Sequence, residues 1–424
     1  MTYAALRHSN IYEVNTRQFS KEGSFNEVTR HLLRLRDGGT DILWFMPIYP
    51  IGEKNRKGTL GSYYSIRDFK GINPEFGSVE DFAILVNTAH ALGMKVIIDW
   101  VANHAAWDNV WTLTNPEFFV CNDEGNFMPP YDWDDVIQID HSNEAQQQEM
   151  INSMMHWLLV FNIDGFRADL AHLTPLPFWH KAKSALEKIK PGLIWLAETE
   201  DPKYHEVFQV SYAWEWMHAC EVFFKGERDM NYLYSVLENN IEKFPPDALR
   251  LFFTTNHDEN SWNGTEFEKF GNYVKALTVF NFTFPGVPLV YSGQEAENKK
   301  RLKFFDKDEI DWPETQNEFS ILYQKLNLLR HESAAIGGTL SIIPRWKEYS
   351  ILAYKLEKDE EQLIVLLNLG KTNVIMDYPG GEGELFYNSL NNSTMKEVNN
   401  IIEIHLPAAG YIIMQKNNPA ILPG

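Results

Sequence analysis

Short apolar runs rich in β-branched and aromatic residues alternate along most of the chain with longer amphipathic stretches. The runs read IYEVNTRQF, DILWFMPI, KVIIDWV, GFRADL, LIWLAE, LFFTTNHD and VPLVYSG, with a weaker one near SYAWEWM. Runs of this kind predict strands, and their alternation with amphipathic stretches predicts repeated β-α units. Eight units favour a (β/α)8 TIM barrel over an open doubly wound sheet, for which no Gly-x-Gly-x-x-Gly loop gives support.

The stretch between the first two runs shows how the helices are encoded. In SFNEVTRHLLRLRDGG, Ser24 is followed three residues later by Glu27, and Val28, Leu32 and Leu35 recur at helical spacing before two glycines. This pattern predicts a capped amphipathic helix that ends at glycine. A second helix, EAQQQEMINSMMHWLLVF, is predicted before GFRADL, with its apolar stripe packed in the core.

Two segments depart from the alternation and suggest domain boundaries. Residues 104–140 are rich in aromatic, Pro and Asp residues and predict a small insertion after the third strand. From residue 333 to 424 the chain changes to strand-like pieces separated by turns, such as YSILAYKL and QLIVLLNL, which predict a C-terminal all-β sandwich. Residues 1–103 and 141–332 then form the α/β barrel.

Composition narrows the classes of partner. The chain has 424 residues, 44% of them hydrophobic, and a formal net charge of −20, so it can bury a large core. The negative charge disfavours nucleic acid and anionic membrane surfaces, and no Lys/Arg-rich run offers an exception. Cys121 and Cys220 are the two cysteines, which we expect to be free thiols.

The ends and the apolar runs give an expectation about location. The start, MTYAALRHSN, lacks a basic segment followed by an apolar one, and no apolar run has membrane-spanning length. For the sequence as it stands we expect a cytoplasmic protein. A leader removed beforehand would instead make the protein periplasmic or secreted.

Charged side chains stand at or just after the ends of four predicted strands: Asp99, His104, Arg167, Asp169, Glu198, His257 and Asp258. In a parallel barrel these ends surround one pocket. Any one of the carboxylates alone would most simply be an ion-pair partner. Several carboxylates in one pocket repel one another and lose hydration, however, a cost that folds seldom carry without a functional reason.

Two of these carboxylates suit retaining glycoside hydrolysis, which uses carboxyl groups about 5 to 5.5 Å apart. Glu198 follows the apolar run IWLA, which favours a protonated carboxyl group, so we assign it as the acid. Asp169 lies two residues after Arg167 on the same face of a strand. The cation is expected to keep Asp169 ionised, so we assign it as the nucleophile.

Four segments together resemble a known family. DWVANH (99–104), GFRAD (165–169), LAE (196–198) and TNHD (255–258) are similar, in order and spacing, to the four signature segments of the alpha-amylase family of glycoside hydrolases. The resemblance implies a (β/α)8 barrel with Asp169 as nucleophile, Glu198 as general acid/base, and Asp258 as a carboxylate that binds sugar hydroxyls and stabilises the transition state.

The resemblance also implies binding residues around the sugar at the cleavage point. His104, Arg167 and His257 match family positions there, and Asp99 matches a residue that holds the hydrogen-bond network. In GSYYSIRDF, the residue that stands four positions before an aspartate matches the tyrosine that stacks on the same sugar. That residue is Tyr64, with Tyr63 as the alternative if the alignment shifts by one position.

The sequence departs from the family pattern at two places. Asn103 matches a calcium-binding position of many members, but Gln138 stands where a liganding aspartate is expected, which weakens such a site. We therefore expect no required cofactor and disfavour a structural calcium. His172 stands where many starch-cleaving members have a lysine that contacts the leaving-side sugars, so it is a candidate substrate contact of different chemistry.

Two further stretches are candidates for the walls of the cleft. Aromatic faces stack on sugar rings, and we expect half of the insertion's aromatic residues to do so and half to form its core. They are Trp107, Trp111, Phe118, Phe119, Tyr131 and Trp133. The loop PIGEKNRKG between the second and third strands either borders the site or is a solvated turn.

These features predict a retaining hydrolase of α-1,4-linked glucans or malto-oligosaccharides that forms a covalent glycosyl-enzyme on Asp169. Transglycosylases, α-glucosidases and cyclomaltodextrinase-type enzymes of the same family remain open as alternatives. A non-catalytic accessory protein would lack one of the three carboxylates. A metal-dependent barrel hydrolase would need ligands such as His-x-His on the first strand, which EVNTRQF does not offer.

Overall fold

The structure of the protein is a computed structural model. It describes residues 1–380, 386–390, 393–395, 397–398 and 400–416.

Eight parallel strands close into a barrel, as predicted. In chain order they are Ile11–Val14, Ile42–Phe45, Lys95–Trp100, Gly165–Ala168, Ile194–Ala197, Val210–Tyr212, Leu249–Phe252 and Val287–Tyr291. Each strand pairs with its neighbours in the chain, and the first pairs with the eighth. The strands are almost wholly buried because helices cover the outside, which explains their continuous apolar sequences.

Helices connect the strands on the outside of the barrel. The longer ones are Phe25–Asp37, Val79–Ala91, Glu144–Phe161, Leu176–Leu186, Trp214–Phe224, Met230–Lys243, Val274–Thr283 and Glu318–Glu332. Shorter ones span Tyr3–His8, Trp111–Thr114 and Glu266–Phe270. The predicted first cap is present, because Ser24 Oγ accepts from the Glu27 N–H at 3.3 Å.

The sixth strand is where the sequence pattern was least clear. Val210–Tyr212 is only three residues long, and most of SYAWEWM belongs to the helix Trp214–Phe224. Aromatic residues occur in both elements here because both are buried, so residue type alone could not separate strand from helix. The weak strand predicted near SYAWEWM is therefore present, but it ends at Tyr212.

A small excursion follows the third strand. Strand His104–Ala106 pairs antiparallel with Val136–Gln138, and Trp111–Thr114 and Pro116–Phe118 form short helical turns between them. This ribbon lies at the same end of the barrel as the predicted charged residues. The sequence-based domain bounds stay a prediction.

The described residues of the C-terminal region form two antiparallel sheets. One contains Thr339–Ile342, Ile351–Lys358, Glu361–Asn368, Tyr411–Lys416, Phe386–Asn388 and Ser393–Met395. The other contains Val374–Pro379, Ile401–Leu406 and Glu397–Val398. Ile364 of the first sheet and Met376 and Ile404 of the second belong to one buried cluster, the arrangement expected of a sandwich.

Both cysteines are free, with Cys121 exposed and Cys220 buried. Within the described part of the chain, no helix combines the length and the apolar character that crossing a membrane requires.

Candidate active site

The carboxyl ends of the barrel strands bring the predicted charged residues together. Asp99 in the third strand is in register with Arg167 in the fourth. Ala168 in the fourth strand is in register with Ala197 in the fifth, which directly precedes Glu198. This end of a TIM barrel is the one that carries active sites.

The guanidinium of Arg167 connects three carboxylates. Nη1 donates to both oxygens of Asp99, at 3.0 and 3.2 Å, and to Asp169 Oδ1 at 2.9 Å. Nη2 donates to Glu198 Oε2 at 2.8 Å, and Nε donates to the Tyr212 hydroxyl at 3.2 Å. Arg167 is fully buried, and its rigid fork of donors suits such a junction. Asp169 and Glu198 are therefore held side by side.

Asp169 and Glu198 each have one oxygen fixed by these bonds. Asp169 Oδ2 is buried and has no hydrogen-bond partner among the described residues. Glu198 Oε2 also accepts from the Leu170 N–H at 2.9 Å, and Leu170 has a left-handed backbone with φ 39°. A non-glycine residue in this conformation is strained, and such strain clusters at functional sites. The structure thus adds a cation and an amide to the apolar surround that IWLA predicts for Glu198.

A second chain of contacts runs behind these carboxylates. Tyr64 Oη donates to Asp99 Oδ2 at 3.1 Å and lies 2.7 Å from His257 Nε2. His257 Nδ1 lies 2.5 Å from Glu13 Oε1. The rings of Tyr64 and His257 stack, with centroids 5.4 Å apart. The alternative residue, Tyr63, is fully buried and directs its hydroxyl elsewhere, so the structure brings Tyr64 to the cluster.

Burial and the neighbouring charges shift the pKa values of the side chains in this cluster. Burial alone would lower the pKa of His257, but the charges of Asp258 and Glu13 raise it to about 9. Burial raises the pKa of Asp99 to about 7 despite the adjacent guanidinium. Burial also raises the pKa of Asp169, again opposed by that cation. At neutral pH the imidazole of His257 is therefore a second positive charge in the site.

Asp258 is the most solvent-exposed of the three predicted catalytic carboxylates. Its side chain is 39% exposed, against 7% for Asp169 and 10% for Glu198. Its Oδ2 lies 3.3 Å from His257 Nε2. A half-exposed carboxylate at the rim suits direct contact with a ligand.

His104 is buried at the start of the ribbon. Its ring meets Trp133 edge-on at 5.5 Å. Burial lowers the pKa of His104 to about 4, so the imidazole is neutral over the physiological range. A neutral imidazole has one donor and one acceptor nitrogen for ligand hydroxyls.

Asn103, at the position that the resemblance links to calcium, lies among side chains with other hydrogen-bond partners. Asn103 Nδ2 lies 3.4 Å from His104 Nδ1, and Asp140 Oδ1 accepts from the N–H and hydroxyl of Ser142 at 2.9 and 2.7 Å. Over the described ranges, no group of three His, Cys, Asp or Glu side chains could hold a metal. Calcium takes roughly six to eight oxygen ligands, several of them preferably charged.

His172 lines a cavity of about 750 Å³ that opens beside Glu198. The other lining residues are Leu170, Glu198, Thr199, Glu200, Asp201, Pro202, Trp214 and Lys243. Because neither Tyr64 nor Asp258 borders it, the cavity extends from the Glu198 side of the site. His172 is exposed, in keeping with a role in contacting a ligand there.

Three of these six aromatic residues of the insertion are buried, which fits the predicted core, and stacking of the other three on a sugar stays a prediction. Trp111, Phe118 and Phe119 are buried, whereas Trp107, Tyr131 and Trp133 are not. The loop PIGEKNRKG is tied to the insertion, because Lys57 Nζ pairs with Asp134 at 2.8 Å and Asp135 at 3.0 Å.

Sequence reasoning missed three members of the cluster. Glu13 forms a hydrogen bond with His257, and the Tyr212 hydroxyl accepts one from Arg167. The ring centroid of Trp44 lies 5.0 Å from Cζ of Arg167. One signal was available: Glu13 interrupts the wholly buried first strand with a charge. Tyr212 and Trp44 gave none, since aromatic residues in buried strands are ordinary.

The sequence matches the family model for the alpha-amylase catalytic domain over residues 8–117 and 122–325. Among curated proteins it is similar to the alpha-amylase MalA of Haloarcula japonica, with 23% identity over 88% of this chain and 57% of that protein. It is also similar to an alpha-1,4-glucan:maltose-1-phosphate maltosyltransferase of Cereibacter sphaeroides, with 34% identity over 46% of this chain and 36% of that protein. The chain thus spans less than two thirds of the length of these relatives.

Solved structures match over nearly the whole chain. A maltogenic alpha-amylase from Thermotoga neapolitana is 30% identical, with a TM-score of 0.89, over 97% of this chain and 99% of that one. An alpha-amylase from Lactobacillus plantarum is 28% identical, with a TM-score of 0.88 and the same shares covered.

Proposed function

Since the chain belongs to the alpha-amylase family, we propose that it is a retaining glycoside hydrolase that cleaves α-1,4-glucosidic bonds in malto-oligosaccharides or starch-like α-glucans. The observation that carries the proposal is the Arg167 junction, which holds Asp169 and Glu198 side by side on one buried guanidinium. This arrangement is compatible with the short carboxyl separation of about 5 to 5.5 Å that retaining enzymes use.

In the first step, Asp169 attacks the anomeric carbon with the buried oxygen Oδ2, which has no partner among the described residues. Glu198 donates its proton to the glycosidic oxygen, the bond to the leaving sugar breaks, and a glycosyl ester forms on Asp169. Arg167 Nη1 keeps its bond to Oδ1, so the carboxyl group stays aimed during the attack.

In the second step, Glu198 takes a proton from water, and the resulting hydroxide oxygen attacks the same carbon. The ester bond breaks, Asp169 leaves as a carboxylate, and the configuration of the sugar is retained. Asp258 and the His257 imidazolium bind sugar hydroxyls while positive charge develops on the ring. The exposed rim position of Asp258 supports this role.

The charge of the cavity beside Glu198 bears on the type of leaving group. It is lined by Glu200 and Asp201 in addition to Glu198, with Lys243 as its one lysine. A sugar phosphate is an anion and would be repelled by these carboxylates. The lining therefore favours a neutral sugar over a phosphate as the leaving group. Transfer to a second sugar instead of water stays the alternative, because the cavity has room for an acceptor.

Product analysis with maltoheptaose, soluble starch, pullulan and cyclodextrin tests the proposal. We expect the α-1,4 substrates to be cut, with products that are initially α-anomers by NMR. Asp169→Asn, which keeps the size of the side chain, should lose at least about 1,000-fold in rate.

A matched control is Asp377→Asn, which changes an exposed aspartate on a C-terminal strand and should leave the rate unchanged. Initial β-anomer products would contradict the retaining mechanism. Products longer than the substrate would favour the transglycosylase alternative.

A further inference from the structure

Trp262 is unusually placed for a tryptophan. It is 51% exposed, the most of the chain's 13 tryptophans, all of which the structure describes. It lies four residues after Asp258, in the helical turn Glu259–Asn263 that leads away from the seventh strand. An isolated exposed aromatic residue is ordinary, so its significance depends on its surroundings.

Trp262 belongs to an aromatic strip that begins inside the site. Its ring centroid lies 5.2 Å from that of Phe304 and 5.5 Å from that of Phe305. The ring of Phe304 is nearly parallel to that of Tyr64, with centroids 6.4 Å apart and planes at 14°. Neighbouring aromatic rings therefore connect Tyr64, in the site, to the exposed Trp262.

The turn that carries Trp262 is fixed to the loop after the eighth strand. Asn260 Nδ2 donates to the Lys300 carbonyl at 3.2 Å, and Asn260 Oδ1 accepts from the Leu302 N–H at 2.8 Å. Ser261 Oγ donates to the Leu302 carbonyl at 2.9 Å. A platform held in this way loses little conformational entropy when a ligand stacks on it.

The loop that carries Phe304 and Phe305 is anchored on its other side as well. The Leu60 N–H donates to the Phe305 carbonyl at 2.9 Å. The N–H and hydroxyl of Thr59 donate to Asp306 Oδ1 at 2.9 and 2.6 Å. The aromatic strip is thus held between the loops that follow the second, seventh and eighth strands.

The two sides of the site fix the direction of a bound glucan. The acid Glu198 protonates the oxygen of the leaving sugar, so the leaving side is the cavity lined by His172 and Trp214. The family resemblance implies that the sugar that becomes bonded to Asp169 stacks on Tyr64. Sugars on its non-reducing side then extend away from Glu198, along Phe304 toward Trp262.

We infer that Trp262, supported by Phe304 and Phe305, is a stacking platform for a donor-side glucose beyond the one held by Tyr64, and that it sets the preferred donor length. This inference rests on the proposed function. Sugar rings present apolar C–H faces that bind aromatic rings, and the exposed part of Trp262 offers such a ring.

The test uses Trp262→Ala and Trp262→Phe with 4-nitrophenyl α-glucoside, α-maltoside and α-maltotrioside, which place one, two and three glucose units on the donor side. For the alanine variant we expect kcat/KM to fall about tenfold on the maltotrioside or on both longer substrates. The glucoside should change by less than about twofold, because it does not reach the platform. The phenylalanine variant should keep most of the activity.

Tyr349→Ala is the matched control, since Tyr349 is an aromatic residue of the C-terminal region with 60% exposure. It should behave like the unmodified protein on all three substrates. An equal loss on all three for Trp262→Ala, or no loss on any, would overturn the inference.

A binding measurement separates this inference from the proposed function. Maltoheptaose affinity is compared by calorimetry for Asp169→Asn alone and together with Trp262→Ala. An affinity loss of about tenfold supports the platform even if no substrate is hydrolysed, an outcome that would count against the proposed function alone. Unchanged affinity overturns the platform.

Discussion

Replacing Glu13 with glutamine should change how the site responds to pH. The substitution removes the negative charge that lies 2.5 Å from His257 Nδ1 and keeps the side-chain volume. Both residues are fully buried, so water cannot substitute for the lost charge. Asp258 then remains the acidic partner of the imidazole, and we expect the pKa of His257 to fall from about 9 toward its ordinary 6.5.

The size of the effect follows from that pKa. A rise from 6.5 to about 9 corresponds to about 3 kcal/mol of preference for the imidazolium. Asp258 contributes to this preference through its charge, and Glu13 through both its charge and its hydrogen bond. We therefore expect Glu13→Gln to remove roughly 1 to 1.5 kcal/mol, which moves the titration of His257 down by about one pH unit.

The sign of the stability change is set by the raised pKa. The protonated imidazole stabilises the fold fully below about pH 6.5, and this stabilisation is lost as the pH rises through about 9. In Glu13→Gln the loss should be complete about one pH unit earlier. The melting temperature and kcat/KM, each measured from about pH 6 to about pH 10, give two independent readings of the shift.

An exposed glutamate, Glu22, provides the control, because Glu22→Gln changes the net charge by the same amount at a solvent-exposed position. The reasoning is refuted if Glu13→Gln and the unmodified protein lose stability and activity over the same alkaline range. NMR of the His257 ring protons would then show that another group sets the alkaline limit.

Two further predictions concern the same end of the barrel. Tyr64→Phe removes the bonds to Asp99 and His257 but keeps the stacked ring, so kcat/KM should fall roughly 10- to 100-fold, with a loss below about twofold contradicting the role. Chelation by EDTA should leave the melting temperature unchanged within about 1 °C, because Gln138 stands where a calcium-liganding aspartate is expected; a rise on adding calcium chloride would contradict this.

Most of the barrel could be predicted from the sequence because its strands are buried on both faces. Such strands appear as continuous apolar runs, and seven of the eight are clear in the sequence. The sixth, Val210–Tyr212, was weak because it is short and is followed by an aromatic helix, Trp214–Phe224. Its place in the barrel follows from pairing with both neighbours, which a local pattern does not record.

The residues of the candidate site could likewise be predicted only in part. Residues in the segments at strand ends, such as Asp169 and Glu198, were predicted because topology brings all strand ends to one place. Glu13 and Phe304 were not, because their importance comes from the residues they touch. Phe304 stands in an irregular loop whose path is fixed by hydrogen bonds to two other loops.

The Arg167 junction also suggests how one carboxyl group could serve both proposed steps. Before attack, the guanidinium is shared between the side chains of Asp99, Asp169 and Glu198, so the nucleophile and the acid are held in one fixed geometry. Once Asp169 becomes an ester it carries no charge, and the guanidinium is left to the two other carboxyl groups. The bond from Nη2 to Glu198 Oε2 does not depend on Asp169, so the same carboxyl group stays positioned to accept a proton from water in the second step.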